Sequence, residues 1–240
     1  MSTTQHAIVT GGGSGVGQAV ALSLIERGYA VSIVGRRAEA LQRTIAKAGK
    51  LADRLAAYAL DVADTAAVAS AVARMRERNG RIDALVNAAG SNVRERRLEV
   101  LSEADWQAVL GANLSGAFHT VHAVLPTMRR QASGTIVNII SEAGWSATPK
   151  AGAAYVASKF GLAGLTQAIN LEEQPHGIRA TAIYPGDINT PLLDKRPQPP
   201  PPEARANMLQ AEDVAACVLL AIELPSRAVI EELLVRPRAV

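Results

Sequence analysis

TGGGSGVG, residues 10–17, comes directly after the apolar run His6-Ala7-Ile8-Val9 and opens a helix-like stretch from Gly15 to Arg27. A glycine cluster between a strand and a helix reads either as a structural turn or as a cradle for a phosphate. The second reading needs glycine at particular places. Gly11 and Gly15 permit a tight turn and close approach of the backbone to a phosphate, and Gly17 lets the helix pack on the sheet. The helix start adds free N–H groups and the positive end of a dipole. The spacing is Gly-x-x-x-Gly-x-Gly rather than the commoner Gly-x-Gly-x-x-Gly.

Outward from this stretch, strand-like and helix-like segments alternate along nearly the whole chain. Strands are expected at Ala7–Thr10, Ala30–Val34, Arg54–Leu60, Asp83–Val86, Thr135–Ile140, Ile178–Tyr184 and Val229–Val235. Helices are expected at Ala38–Ala48, from Asp64 or Thr65 to Arg78 with Gly80 closing it, from a Ser102 cap to about Met128, at Ala153–Glu173 and at about Ala211–Glu223. Continuous apolar strands alternating with helices imply an α/β fold with a parallel sheet covered on both faces. Such sheets bind ligands at the carboxyl ends of their strands. Residues 187–208, with "RPQPPPPEARA", break the rhythm; their prolines favour an extended conformation, and the segment is either a connector or a substrate lid.

Length and composition limit the remaining options. At 240 residues one domain is expected. Aromatics are only 3% and the net charge of +3 is scattered, so the basic stripe and stacking rings of a nucleic-acid binder are missing. The single cysteine, Cys217, lies in an apolar stretch and reads as buried filler in a reducing compartment. No leader is recognisable and no apolar run approaches the roughly 20 residues that span a bilayer, so a cytoplasmic location without a membrane partner is expected. The four histidines are dispersed, which gives no metal site.

Several further motifs follow in a fixed order: Asp61-Val62, "NAAG" at 87–90 (Asn87, Ala88, Ala89, Gly90), "ANLSG" containing Asn113, "GTIVNIISEAG" containing Ser141, "YVASK" at 155–159 and "YPGDINTPL" at 184–192. With Thr10, Gly11, Gly15 and Gly17 they resemble the short-chain dehydrogenase/reductase family, over residues 7 to about 192. Ala88 departs from the family's second asparagine. The resemblance implies a single-domain, doubly wound Rossmann sheet of about seven strands. It also implies a homotetramer or homodimer assembled through the helices at 102–128 and 153–173.

By resemblance, Asn113, Ser141, Tyr155 and Lys159 are catalytic. Tyr155 and Lys159 stand at i and i+4 on one helix face, so both can point at one substrate atom. A tyrosine titrates near pH 10, and a neighbouring ammonium is expected to lower that value. Tyr155 would exchange a proton with a carbonyl or alcohol substrate, Ser141 would hydrogen-bond the same oxygen, Lys159 would also hold the nicotinamide ribose, and Asn113 would order a water leading to Lys159. Cofactor contacts are expected from Gly11, Gly13, Ser14, Gly15, Val16, Gly17, Asp61, Val62, the 87–90 turn, Pro185, Gly186, Ile188 and Thr190. After the second strand the chain reads Gly35-Arg36-Arg37 with no acid at the tip, so Arg36 and Arg37 suit the 2′-phosphate of NADP, with NAD possible. Against NADP, Ser14 replaces the basic residue that many NADP-preferring relatives carry in the glycine loop. A non-catalytic, NAD(P)-binding regulator is the alternative; such proteins have typically lost the tyrosine or lysine that this chain retains. A sugar epimerase fits less well, because its extended branch needs a larger substrate domain.

Overall fold

The computed structural model describes residues 4–238. Seven strands, β1 (His6–Thr10), β2 (Ala30–Gly35), β3 (Leu55–Ala59), β4 (Ala84–Asn87), β5 (Gly134–Ile139), β6 (Ile178–Pro185) and β7 (Glu232–Val235), form one sheet. Its order is β3-β2-β1-β4-β5-β6-β7 and every pairing is parallel. Strands β1, β4 and β5 are buried along their whole length, which is why their sequences run apolar without alternation.

Helices α1 (Gly15–Glu26), α2 (Ala38–Lys47) and α8 (Ala211–Glu223) cover one face, where Val20, Leu24, Leu41, Val214 and Val218 form the core with Val9, Ile33 and Val86. On the other face, α3 (Thr65–Asn79) and α5 (Gly116–Gln131) pack Val68, Met75, Val121, Val124 and Met128 against Ile8, Leu85 and Ile136. Helix α6 (Ala153–Glu173) covers the β5–β6 side through Leu162. The chain order reverses between β1 and β4, whose last paired residues are Thr10 and Asn87. A crevice therefore opens beyond these two strand ends.

Four expectations need correction. The helix from Ser102 is not continuous: α4 (Glu103–Leu110) passes through a π-turn at Gly111–Ser115 before α5 begins. The proline-rich segment is not simply extended. It holds a 3-10 turn at Pro191–Lys195 and the short helix α7 (Pro202–Ala206), in which Pro202 takes the first position, where no N–H is needed. The last strand is shortened from Val229 to Glu232 and pairs only with β6. Finally, Glu103–Gln131 is, by length and composition, long and apolar enough to cross a membrane. Val109, Ala117, Val121, Val124 and Met128 are buried inside the fold, and their packing accounts for part of its apolar character.

Candidate active site

The glycine loop is held by its own backbone. Gly12 N–H donates to Val34 O at 3.1 Å, and Thr44 Oγ1 donates to Gly12 O at 2.8 Å. Thr10 Oγ1 accepts from the amides of Ala88 (3.1 Å) and Ala89 (3.0 Å), tying the ends of β1 and β4 together. Gly11 has φ +70°, and a Cβ there would lie 2.7 Å from Ala88 O. A Cβ on Gly17 would collide with the Gly11 carbonyl oxygen, so both close approaches require glycine. No side chain caps α1 at Ser14, and its first turn carries no acid. The first N–H groups of the helix therefore have no side-chain acceptor at the cap. Gly13 instead packs toward Ala40 of α2.

Across the crevice, Ser141 follows β5 and accepts from Ala143 N–H at 3.2 Å. Tyr155 is in the first turn of α6 and lines the same cavity as Ser141. Lys159 is one turn later, 3% exposed, with Nζ donating to Ile139 O at 2.9 Å and lying 5.6 Å from the Tyr155 ring centroid. Asn113 occupies the π-turn. Its Oδ1 accepts from Ser91 N–H at 2.7 Å, and its Nδ2 donates to Ser91 O (3.0 Å) and Ser158 Oγ (2.9 Å). An extra residue in the helix aims a side chain inward here. A Cβ on Gly90 would lie 3.3 Å from Asn113 Oδ1 and 3.8 Å from Lys159 Nζ, so these two groups flank the same glycine without bonding each other.

The protonation balance differs from the simple picture. Burial pushes the Tyr155 phenol above its ordinary value; the Ser141 hydroxyl and the charges of Arg196 and Arg96 oppose this without reversing it. Burial also pulls the Lys159 ammonium down to about 7. The expected lowering of Tyr155 by a fully charged Lys159 is therefore not what this structure displays. Both groups line the same cavity, where burial disfavours the charged form of each.

One cavity joins the two sides. It is lined by Gly11, Ser14, Gly15, Val16, Ala88 and Gly90 from the loop side, and by Ser141, Tyr155 and Lys159 from the other. Pro185 at the end of β6 and Gly186, Ile188 and Thr190 after it close the cavity. The remaining expected contacts stand outside its wall. Asn87 is buried and bonded to Asn138 and Thr120, Val62 packs against Gly116, and Ala89 is held by Thr10. Arg36 and Arg37 are exposed at the end of β2, with Arg36 Nη1 3.8 Å from Asp61 Oδ2.

Three lining residues, Asn92, Arg96 and Thr148, carried no sequence signal, and a fourth, Arg196, opens the proline-rich stretch. Asn92 Nδ2 donates to Ala151 O at 2.9 Å. Arg96 donates to the carbonyls of Val93 (2.8 Å), Lys150 (3.2 Å) and Lys195 (2.7 Å), joining three loops. Asp187 pairs with both Lys150 (2.9 Å) and Arg196 (2.6 Å). Trp145, in contrast, is 49% exposed and packs edge-on against Tyr184.

Comparison with known proteins gives the class. The short chain dehydrogenase family profile matches residues 5–200. The chain belongs to the short-chain dehydrogenase/reductase family and is an oxidoreductase of that family. It is 40% identical over 196 residues to the short-chain reductase protein NovJ of Streptomyces niveus, covering 81% of this chain and 73% of that one. Among solved structures, it superposes on a metagenomic short-chain oxidoreductase in complex with NADP with a TM-score of 0.84, 30% identity and full coverage of both chains. The alcohol dehydrogenase from the archaeon Thermococcus sibiricus, complexed with 5-hydroxy-NADP, gives 0.87 at 26% identity, covering 98% of this chain and 97% of that one.

Proposed function

We propose that the protein interconverts a secondary alcohol and a carbonyl with NADP(H), Tyr155 exchanging the proton. The observation that carries this reading is the single cavity in which Ser141, Tyr155 and Lys159 face an uncapped helix start. The glycine loop fits a dinucleotide phosphate, because side chains are excluded at Gly11 and Gly17 and the α1 N-terminus lacks an internal anion. When bound, the nicotinamide supplies or accepts the hydride.

The chain's own groups do the rest. A phenol kept protonated by burial suits Tyr155 as proton donor to a carbonyl oxygen, and Ser141 Oγ can hydrogen-bond that oxygen. Lys159, near half-charged at pH 7, can pass a proton toward Tyr155, and Asn113 beside Gly90 holds the Ser91 backbone in position. Arg36 and Arg37 support NADP over NAD, since no acid stands at the β2 tip. Lys195 adds to this. Its ammonium is lowered first by burial and then by the charges of Arg36 and Arg37. Exposed Phe118 on α5 and Phe160 and Leu171 on α6 support assembly of a homo-oligomer through those helices.

The test is NADPH oxidation at 340 nm with a panel of ketones, and NADP reduction with the matching secondary alcohols. Turnover with at least one pair is expected. Tight cofactor binding with no turnover across a broad panel would favour the regulatory alternative instead.

A further inference from the structure

The cavity continues past Tyr155 into a wall of different chemistry. Apart from Lys159, its charged lining is three cations, Arg96, Lys150 and Arg196, against two carboxylates, Glu142 and Asp187. Glu142 is already engaged by Arg236 at 2.7 Å, and Asp187 by Lys150 and Arg196. Arg96 is 6% exposed and has no carboxylate partner among the described residues. Three of its five N–H groups go to backbone carbonyls, which leaves two without a protein acceptor. Arg196 follows Lys195, whose carbonyl Arg96 holds, and the two guanidiniums are close enough to repel. In the same wall, the Thr148 hydroxyl is buried with no hydrogen-bond partner.

A buried guanidinium without a counter-charge and a buried hydroxyl without a partner are each costly. Both deficits lie in the wall of the cavity, where an anionic acceptor would relieve them. We propose that the substrate is a keto acid or hydroxy acid whose carboxylate is received by Arg96, Arg196 and Thr148, with its reacting oxygen at Tyr155. This rests on the oxidoreductase reading above. The reduction would then balance with NADPH as the source of the hydride to the carbonyl carbon: Tyr155 gives its proton to the oxygen, solvent returns a proton to Tyr155, and the products are the hydroxy acid and NADP. With Glu142 taken by Arg236, the cations of the lining outnumber its remaining carboxylate, which favours an anionic substrate group. The guanidinium fork also matches a planar pair of oxygens.

The test compares NADPH-dependent reduction of 2-oxobutanoate, acetoacetate and 4-oxopentanoate, each against its methyl ester. Wild type, Arg196→Gln, Arg196→Lys and Thr148→Val are measured. Arg96 is left intact because it holds three loops together. In wild type at least one acid should exceed its ester tenfold or more in kcat/KM. That ratio should fall at least tenfold in Arg196→Gln, mainly through KM, recover in part in Arg196→Lys, and fall severalfold in Thr148→Val. Esters reduced as well as the acids would overturn this inference and leave the oxidoreductase reading standing, as would an acid preference unmoved by Arg196→Gln. If neither acids nor esters oxidise bound NADPH, the inference falls, and success of other ketones in the panel shows whether the broader reading falls with it.

Discussion

The two ends of the cavity are built from different materials. The end at β1 and α1 is made of backbone: Gly11, Gly15 and Gly17, the open amides of α1, and a threonine hydroxyl that joins two strand ends. The end beyond Tyr155 is made of side-chain charge, with Arg96, Lys150, Asp187 and Arg196 pinning segment 187–208 to the loop before α6. Backbone contacts depend on shape and tolerate almost no added atom. Charged contacts depend on residue identity and can change without disturbing the sheet. A shared dinucleotide therefore suits the first end, and an individual substrate suits the second.

The largest way to break this contrast lies where the ends meet. Tyr155→Phe should lower kcat by about 10²–10⁴-fold, the usual weight of a positioned acid or base, while NADPH affinity stays within about twofold. Equal loss of affinity and turnover would place Tyr155 in binding rather than proton transfer. Arg36→Ala comes next. It should weaken NADPH by about 1.5–3 kcal/mol, the weight of a charge-assisted contact, and leave NADH nearly unchanged; equal effects in a parallel titration would remove Arg36 from phosphate recognition. Gly17→Ala probes the backbone end. Its Cβ meets the Gly11 carbonyl, so urea denaturation should register a loss of about 1–3 kcal/mol, with weaker cofactor binding besides. Unchanged stability would mean that this contact is loose.

The last effect concerns Lys159. Its ammonium titrates near 7 in the folded chain against an ordinary 10.5, so between those values the unfolded chain binds the extra proton. Stability of the cofactor-free protein should therefore rise with pH across that window, by up to about 1.4 kcal/mol per pH unit from this group. Lys159→Met should flatten the rise in a series of melting curves. An unchanged slope would show that Lys159 is well solvated.

The backbone end was readable from the sequence because its rules act over short distances. The glycine spacing, the strand before it and the helix after it all lie within residues 6–26, and Tyr155 and Lys159 are one helical turn apart. The charged end was not. Arg96 sits in "VRERR", which reads as surface charge, and its partners Lys150 and Lys195 are 54 and 99 residues away. No local pattern announces such a pairing. The π-turn that aims Asn113 was equally hidden, because one extra residue in a turn leaves the apolar periodicity on either side intact. Pro202 misled for a different reason: proline is excluded from helix interiors but welcome at their first position.

The most direct measurement is a fluorescence titration of the purified wild-type protein with NADPH and, in parallel, NADH. Saturable binding of both, with NADPH at least tenfold tighter, is the result this account predicts. Binding of neither would contradict it, because the glycine cradle and its uncapped helix would then hold no dinucleotide.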